Sequence, residues 1–247
     1  IMNNMVNEGV VCGFISVEMD ATECYQRLAC IESEVSNEAP EKQDQQGFLE
    51  LAKALGNFQK KDNCIIRHST NRRISNIKRI VRSMKKENKD LEVIFVDYLQ
   101  KVESDQRGLD PRNAVTEVSG IFTDIAKDLG IHVSVMAQFN RGADEKLPPQ
   151  MSHLKESSAI EQDAHLVIGI YRNMDAQKDA SANGSTDLGI WRKDGNIINE
   201  PQEITDLQCY LSVLKNRSGK QGFAKCRYNA TSTKFKSDDQ WKQGSYV

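Results

Sequence analysis

Several strand-like apolar runs in this chain end in a polar residue that could act on a water or a phosphate. "VVCGFISVEM" leads into Glu18, "VIFVD" into Asp97, "IHVSVMAQ" into Gln138, and "LQCYLSVLK" into Lys215 with Arg217 just beyond. One acid can polarise a water, and another can hold Mg2+ directly or through water. An amide can sense a phosphate, and a cationic pair can neutralise one. Together they make a set suited to nucleotide hydrolysis. Each also has a plainer reading: a strand-ending Asp that caps a turn, a Glu favoured by a helix dipole, a loop amide, and solvated charges on a hairpin. Strands of one parallel sheet share a carboxyl edge, where ligands bind, so the sequence predicts that these residues gather around one crevice.

The elements that must position them are legible as alternating patterns. Ile1, Met2, Met5 and Val6 form a short helical face ending near Gly9, and a strand follows over 10–17. Residues 20–36 predict a helix, with Asp20 or Thr22 near its start and Cys24, Leu28 and Ile31 on its apolar face. "CIIRH" (64–68) is the next strand. Residues 73–89 are amphipathic, with Ile74, Ile77, Ile80, Val81 and Met84 on one face. Arg72, Arg73, Lys78, Arg79, Arg82, Lys85 and Lys86 read as a solvated face above that stripe, the alternative being contact with DNA. The apolar run 93–96 suits a strand buried on both faces. A helix over 114–130 ends in Gly130, and another buried strand covers 131–138. Strands over 165–171, 207–215 and 223–229 follow. The pattern predicts a parallel α/β sheet completed by antiparallel strands, with the polar, Gly/Asn/Asp-rich stretch 173–206 as an insertion loop.

Composition narrows the class. The 247 residues suffice for one large domain or two small ones, and the net charge of -2 does not announce a nucleic-acid binder, so any such binding must be local. Cys12, Cys24, Cys30, Cys64, Cys209 and Cys226 form neither a CxxC pair nor a zinc-spaced cluster, and they read as thiols in a reducing compartment. No apolar run approaches the ~20 residues of a membrane span, so a cytoplasmic protein is expected, or one in its host's cytoplasm if viral.

The segments "ISVEM", "IFVDYLQ", "MAQFNR", "LKESSAIEQDAHLVIGIYR" and "LKNRSGKQG" occur in an order and spacing that resembles the carboxy-terminal motor domain of DnaB-type replicative DNA helicases. The resemblance covers residues 1 to about 236 and implies a RecA-like P-loop NTPase core, with the whole chain one motor domain. It implies ATP and Mg2+ as cofactors, Glu18 as the general base, and Asp97 as the Walker B acid that helps hold Mg2+. Gln138 would couple the γ-phosphate to DNA binding. Lys215 and Arg217 would reach the nucleotide of a neighbouring subunit in a head-to-tail hexameric ring, with Arg217 as arginine finger. Single-stranded DNA would meet two loops, about 101–113 and 140–158, through Arg141, Lys155, Glu156 and Ser158, the last standing where the family commonly has glycine. A primase and a helicase loader are the further partners implied.

The Walker A pattern G-x-x-x-x-G-K-[ST] does not occur. "RSGKQG" (217–222) contains Gly-Lys, but Leu214 and Gln221 occupy the first glycine and Ser/Thr positions and the segment follows a late strand. The family carries this loop just upstream of the residue matching Ile1, on a strand in the middle of the sheet. The expectation is therefore a piece of a longer helicase whose sheet, without that strand, has two unpaired edges. The competing functions are a non-catalytic assembly module of such a helicase and a RadA- or RecA-like recombination ATPase. The "DYLQ" and "AIEQDAHLVIGIYR" segments argue against the recombinase.

Overall fold

The computed structural model describes residues 1–36, 38, 44–139, 149–154, 157–171, 191–193, 196–198, 207–229 and 232–237. Among them the chain divides into two compact units, Ile1–Gln138 with Ser158–Asp163, and Phe139–Ser157 with Ala164–Val247.

The first unit is built on four parallel strands, β1 (Cys12–Ser16), β2 (Cys64–His68), β3 (Val93–Asp97) and β4 (His132–Val135), in the order β2-β1-β3-β4. Helices cover both faces. On one face Cys12, Ile66, Val93 and Phe95 pack with Met2 and Val6 of α1 (Met2–Asn7), Cys24 of α2 (Ala21–Ser33) and Phe58 of α3 (Gln45–Gln59). The other face belongs to α4 (Ile74–Glu87) and α5 (Pro111–Leu129). There a Cβ on Gly13 would meet Ile94 Cδ1 and Met84 Cε within 2.6 Å, so only glycine fits beneath α4 without repacking. Double coverage is why β1 and β3 are almost continuously apolar.

Local chemistry sets the helix ends. Asp20 caps α2 by accepting from the Glu23 N–H at 2.8 Å, and Asp110 caps α5 from Arg112 and Asn113, with Pro111 in the first turn. Gly130 ends α5 at φ 61°, where a side chain would be strained. The face of α2 departs from expectation: Cys24, Ala29 and Cys30 are buried, whereas Leu28 and Ile31 are half-buried. On α4 the predicted stripe is buried at Ile74, Ile77, Val81 and Met84, with Ile80 half-buried. The basic face of α4 is locally engaged. Arg82 meets Asp128 at 3.4 Å, Arg79 donates to Asn76, and Lys85 donates to the carbonyls of Lys89 and Leu91.

Several features were not anticipated. Helix α3 occupies a stretch to which the sequence reading assigned no element. Its cap at Asp44 accepts from the Gly47 N–H at 2.9 Å, and Leu51 and Ala54 pack on Ala29 and Cys30 of α2. Strand β4 is not a fully buried strand: it ends its sheet, and its residues are half-buried or exposed. The later strands form a separate antiparallel sheet, not an extension of the first.

That second sheet orders β10-β9-β8-β5, from β5 (Leu166–Tyr171), β8 (Leu207–Asn216), β9 (Gly222–Asn229) and the unanticipated β10 (Lys234–Ser237). A two-stranded hairpin, β6 (Trp191–Lys193) with β7 (Asn196–Ile198), lies inside the stretch read as an insertion loop. Helix α6 (Ser157–Asp163) precedes β5. Strand β5 ends its sheet with alternate residues Leu166, Ile168 and Ile170 exposed. All six cysteines are buried thiols, none in a disulfide, and burial pushes those of Cys12 and Cys64 up to about 11.

Ile77 is fully buried under the sheet. Ile77→Ala should therefore cost about 2–5 kcal/mol through lost burial and a residual cavity. Exposed Arg79→Ala should change stability by no more than about 0.5 kcal/mol. Urea unfolding midpoints compare the two, and equal losses would show that α4 is not held by its apolar stripe.

Candidate nucleotide site at the strand ends

Register places the first acids. Strand β1 pairs in parallel with both neighbours, bringing Ser16 opposite Asp97 on one side and His68 on the other. The ladder runs one step further, with the Val17 N–H donating to the Asp97 carbonyl at 3.2 Å. Beyond it the chain turns on Ser16. Its buried hydroxyl accepts from the Met19 N–H at 2.9 Å and the Glu18 N–H at 3.4 Å, which fixes the backbone of Glu18 while its side chain projects outward, 51% exposed. Ser16 was not singled out from the sequence, although a serine two residues before a strand-ending acid is the signal of such a turn.

Asp97 is half-buried, and its carboxyl is raised above the ordinary range, first by desolvation and second by the negative charge of Glu18, with Arg27 acting in the opposite sense. The Asp97–Tyr98 peptide bond is cis. A short 3-10 turn, Leu99–Lys101, then docks on the end of β4. The Leu99 N–H donates to the Met136 carbonyl at 2.9 Å. Gln100 and Gln138 form a reciprocal pair, each side-chain or backbone donor reaching the other residue's oxygen at 3.2 Å. Gln138 thus lies three positions past β4 with its main chain held and its side chain exposed. The structure brings Glu18, Asp97 and Gln138 to the carboxyl edge of one sheet.

Lys215 and Arg217 are not on that sheet. Lys215 lies within β8 opposite Val167 of β5, not at the strand's end, and the parallel-edge argument does not reach it. Arg217 is exposed at the start of the β8–β9 turn, its N–H donating to the His165 carbonyl at 2.9 Å. The turn is braced by Asn216, which accepts from the Ser218 N–H and donates to the Lys220 carbonyl, and by Gln221, which donates to Leu214.

Of the residues expected at DNA, Arg141, Lys155 and Glu156 lie outside the described residues, and Ser158 is described only as part of the backbone of α6. The other expected loop narrows to 102–110, since Lys101 belongs to the 3-10 turn and 111–113 to α5. It is pinned at several points: Asp105 accepts from the Ser75 N–H and hydroxyl, the Glu103 carbonyl accepts from Ile74, and Ser104 meets Glu117.

Among the described residues no group of three or more His, Cys, Asp or Glu side chains could hold a metal, so any ion at Asp97 would need oxygens from elsewhere, as Mg2+ takes from phosphates. Among them too, no helix is long and apolar enough to cross a membrane.

The chain is similar to several known proteins. The chain is 29% identical over 179 residues to the replicative DNA helicase DnaB of Helicobacter pylori (strain ATCC 700392 / 26695), covering 66% of this chain and 36% of that protein. It is 25% identical over 237 residues to a probable plasmid replicative DNA helicase of Chlamydia psittaci, covering 95% and 46%. The chain thus spans less than half the length of these curated relatives. Among solved structures, the ATPase domain of G40P superposes with TM-score 0.78 at 20% identity, covering 96% of this chain and 78% of that one. A DnaB-like replicative helicase described with its interactions with primase gives 0.76 at 20%, covering 95% and 52%. At that identity the two structures speak for the fold alone. The family model described as DnaB-like helicase C terminal domain matches residues 1–237, and the chain belongs to that family.

Proposed function

We propose that this chain is the motor portion of an ATP-driven replicative helicase that translocates on single-stranded DNA and separates the duplex as a hexameric ring. The observation that carries the reading is a pair of acids of unlike character at the ends of neighbouring parallel strands: exposed Glu18 and half-buried, desolvated Asp97. Unlike environments assign unlike roles. Glu18 can meet a water and take its proton. Asp97, held against a second negative charge, fits a divalent cation that would relieve its unfavourable ionisation. Mg2+ there supplies charge neutralisation for the ATP phosphates. Gln138, whose backbone is tied to the turn following Asp97, is placed to report a phosphate to the loop 102–110.

Arg217 and Lys215 serve a neighbouring subunit in this reading. Lys215 lies in the antiparallel sheet and Arg217 in the turn after its strand, and neither belongs to the parallel sheet that carries the acids, which supports distinct roles. Arg141, Lys155, Glu156 and Ser158 would line the DNA path, and primase and a loader are the further partners proposed. The absence of G-x-x-x-x-G-K-[ST] favours one other reading, an assembly module that cannot bind ATP by itself. Saturable ATP hydrolysis by the 247-residue chain would exclude it.

In a chain that includes the Walker A segment, Glu18→Gln should abolish turnover by about 10²-fold or more while ATP binding persists, because only the proton acceptor is lost. Turnover within a few-fold of the parent would remove Glu18 from the site. Asp97→Asn tests the desolvation. A folded-state carboxyl raised above its unfolded value contributes stability below the unfolded pKa and loses it as pH rises through the folded one, so ionised Asp97 weakens the fold at neutral pH. Without Mg2+ or nucleotide, the variant should have the higher urea midpoint at about pH 7. The gap should close as pH approaches the ordinary Asp value of about 3.9. A variant less stable at neutral pH would count against the assignment.

Arg217→Ala should act in trans. Its loss should cost on the order of 10³-fold in turnover, yet mixing it with Glu18→Gln chains should restore activity at interfaces where the intact halves meet. The measurement is ATPase rate against mixing ratio at fixed total protein, with mixed rings confirmed by mass. A curve that stays at the mutant baseline would sink the ring arrangement.

A further inference from the structure

The residue that follows "DYLQ" is a lysine, and its ammonium is placed by the fold. Lys101 Nζ lies 3.9 Å from Glu18 Oε1, with the lysine side chain 33% exposed, and among the described residues it is the one cation at ion-pair distance from that carboxylate. The other nearby cation, Arg27, is turned to Glu23 at 3.2 Å. Both ends of the Lys101–Glu18 contact are braced. The Glu18 backbone is held by the Ser16 hydroxyl. Lys101 sits on the 3-10 turn fixed by buried Leu99, by the Gln100–Gln138 pair and by its own N–H on the Tyr98 carbonyl at 3.0 Å. Its ammonium lies 6.0 Å from the Tyr98 ring centre.

An exposed pair of this length contributes between nothing and about 1 kcal/mol to stability, so it does little for the fold. It does decide where a long, half-exposed side chain spends its time. A general base works only when its oxygen lies within hydrogen-bond reach of the water, and small misplacements are costly in rate. The geometry points to Lys101 as the positioning residue of Glu18: its ammonium holds the carboxylate over the strand ends beside Asp97 and links it, through the 3-10 turn, to Gln138. This rests on the reading of Glu18 as the general base.

Carbodiimide coupling, read by mass spectrometry on the 247-residue chain and on a chain that includes the Walker A segment, should join Glu18 to Lys101 by an amide. In the latter chain and without DNA, Lys101→Met should lower kcat roughly tenfold with the KM for ATP within about twofold, and Lys101→Arg should restore most of the loss. On a Glu18→Gln background Lys101→Met should add nothing, since the group it positions is gone. Unchanged DNA-free kcat in Lys101→Met would overturn the proposal. If single-stranded DNA affinity and its salt slope fall instead, the lysine is a phosphate contact. A further loss on the Glu18→Gln background would equally overturn it. Full turnover by Glu18→Gln itself would mark the failure of the general-base reading, a different result from either.

Discussion

The parallel pairing of β1 with β3 is the constraint on which the site depends. It puts Ser16 level with Asp97, extends by the Val17-to-Asp97 hydrogen bond, and so fixes how far past the sheet Glu18 can stand. A slip of one residue would turn every side chain of β1 to the opposite face. It would bury polar Ser16 wrongly and carry Glu18 away from Asp97. The register is secured by packing on both faces, with Cys12, Val93 and Phe95 on one side and Ile15, Ile94 and Val96, all but inaccessible, on the other. The placement of the two acids is in this sense a by-product of a tightly specified core.

The electrostatics follow from that placement. Two carboxylates near one another cannot be equally comfortable when one is desolvated. Asp97 takes the burden because it closes a strand, whereas Glu18 stands beyond a turn in solvent. The asymmetry needs no special residue. It arises because one acid belongs to the ladder and the other to the loop after it. Arg27 and Lys101 then divide their effects, Arg27 on the buried acid and Lys101 on the exposed one.

What was legible in the sequence and what was not have physical causes. Runs buried on both faces, such as 93–96, announce strands through composition alone, and an amphipathic helix such as α4 announces its inner face by period. Helix α3 hides its period because Phe48 and Leu49 are exposed at 51% and 61%, and two glycines lie within it. The edge position of β4 was not read, although His132 and Ser134 alternate with Val133 and Val135 in the pattern of a strand covered on one face only. The separation of the late strands into their own sheet could not be read, since short antiparallel strands look alike whichever sheet they join. The acids at strand ends were found because a charge after an apolar run is conspicuous. Lys101 was passed over because its partner Glu18 is distant in sequence, whereas Ser16, whose partners are the nearby Glu18 and Met19 N–H groups, carried a local signal.

The two terminal strands connect these points. Strand β4 closes its sheet with half-buried residues and exposed Met136 beyond, and β5 closes the other with Leu166, Ile168 and Ile170 between 44% and 53% exposed. Proteins usually blunt a sheet edge with charge, proline or a bulge. Strand β5 has a register shift between Val167 and Ile168, but its exposed alternate residues are apolar, and β4 contains no Asp, Glu, Lys or Arg. Among the described residues each edge therefore presents unpaired backbone N–H and C=O groups flanked by apolar side chains, the arrangement most ready to pair with a further strand.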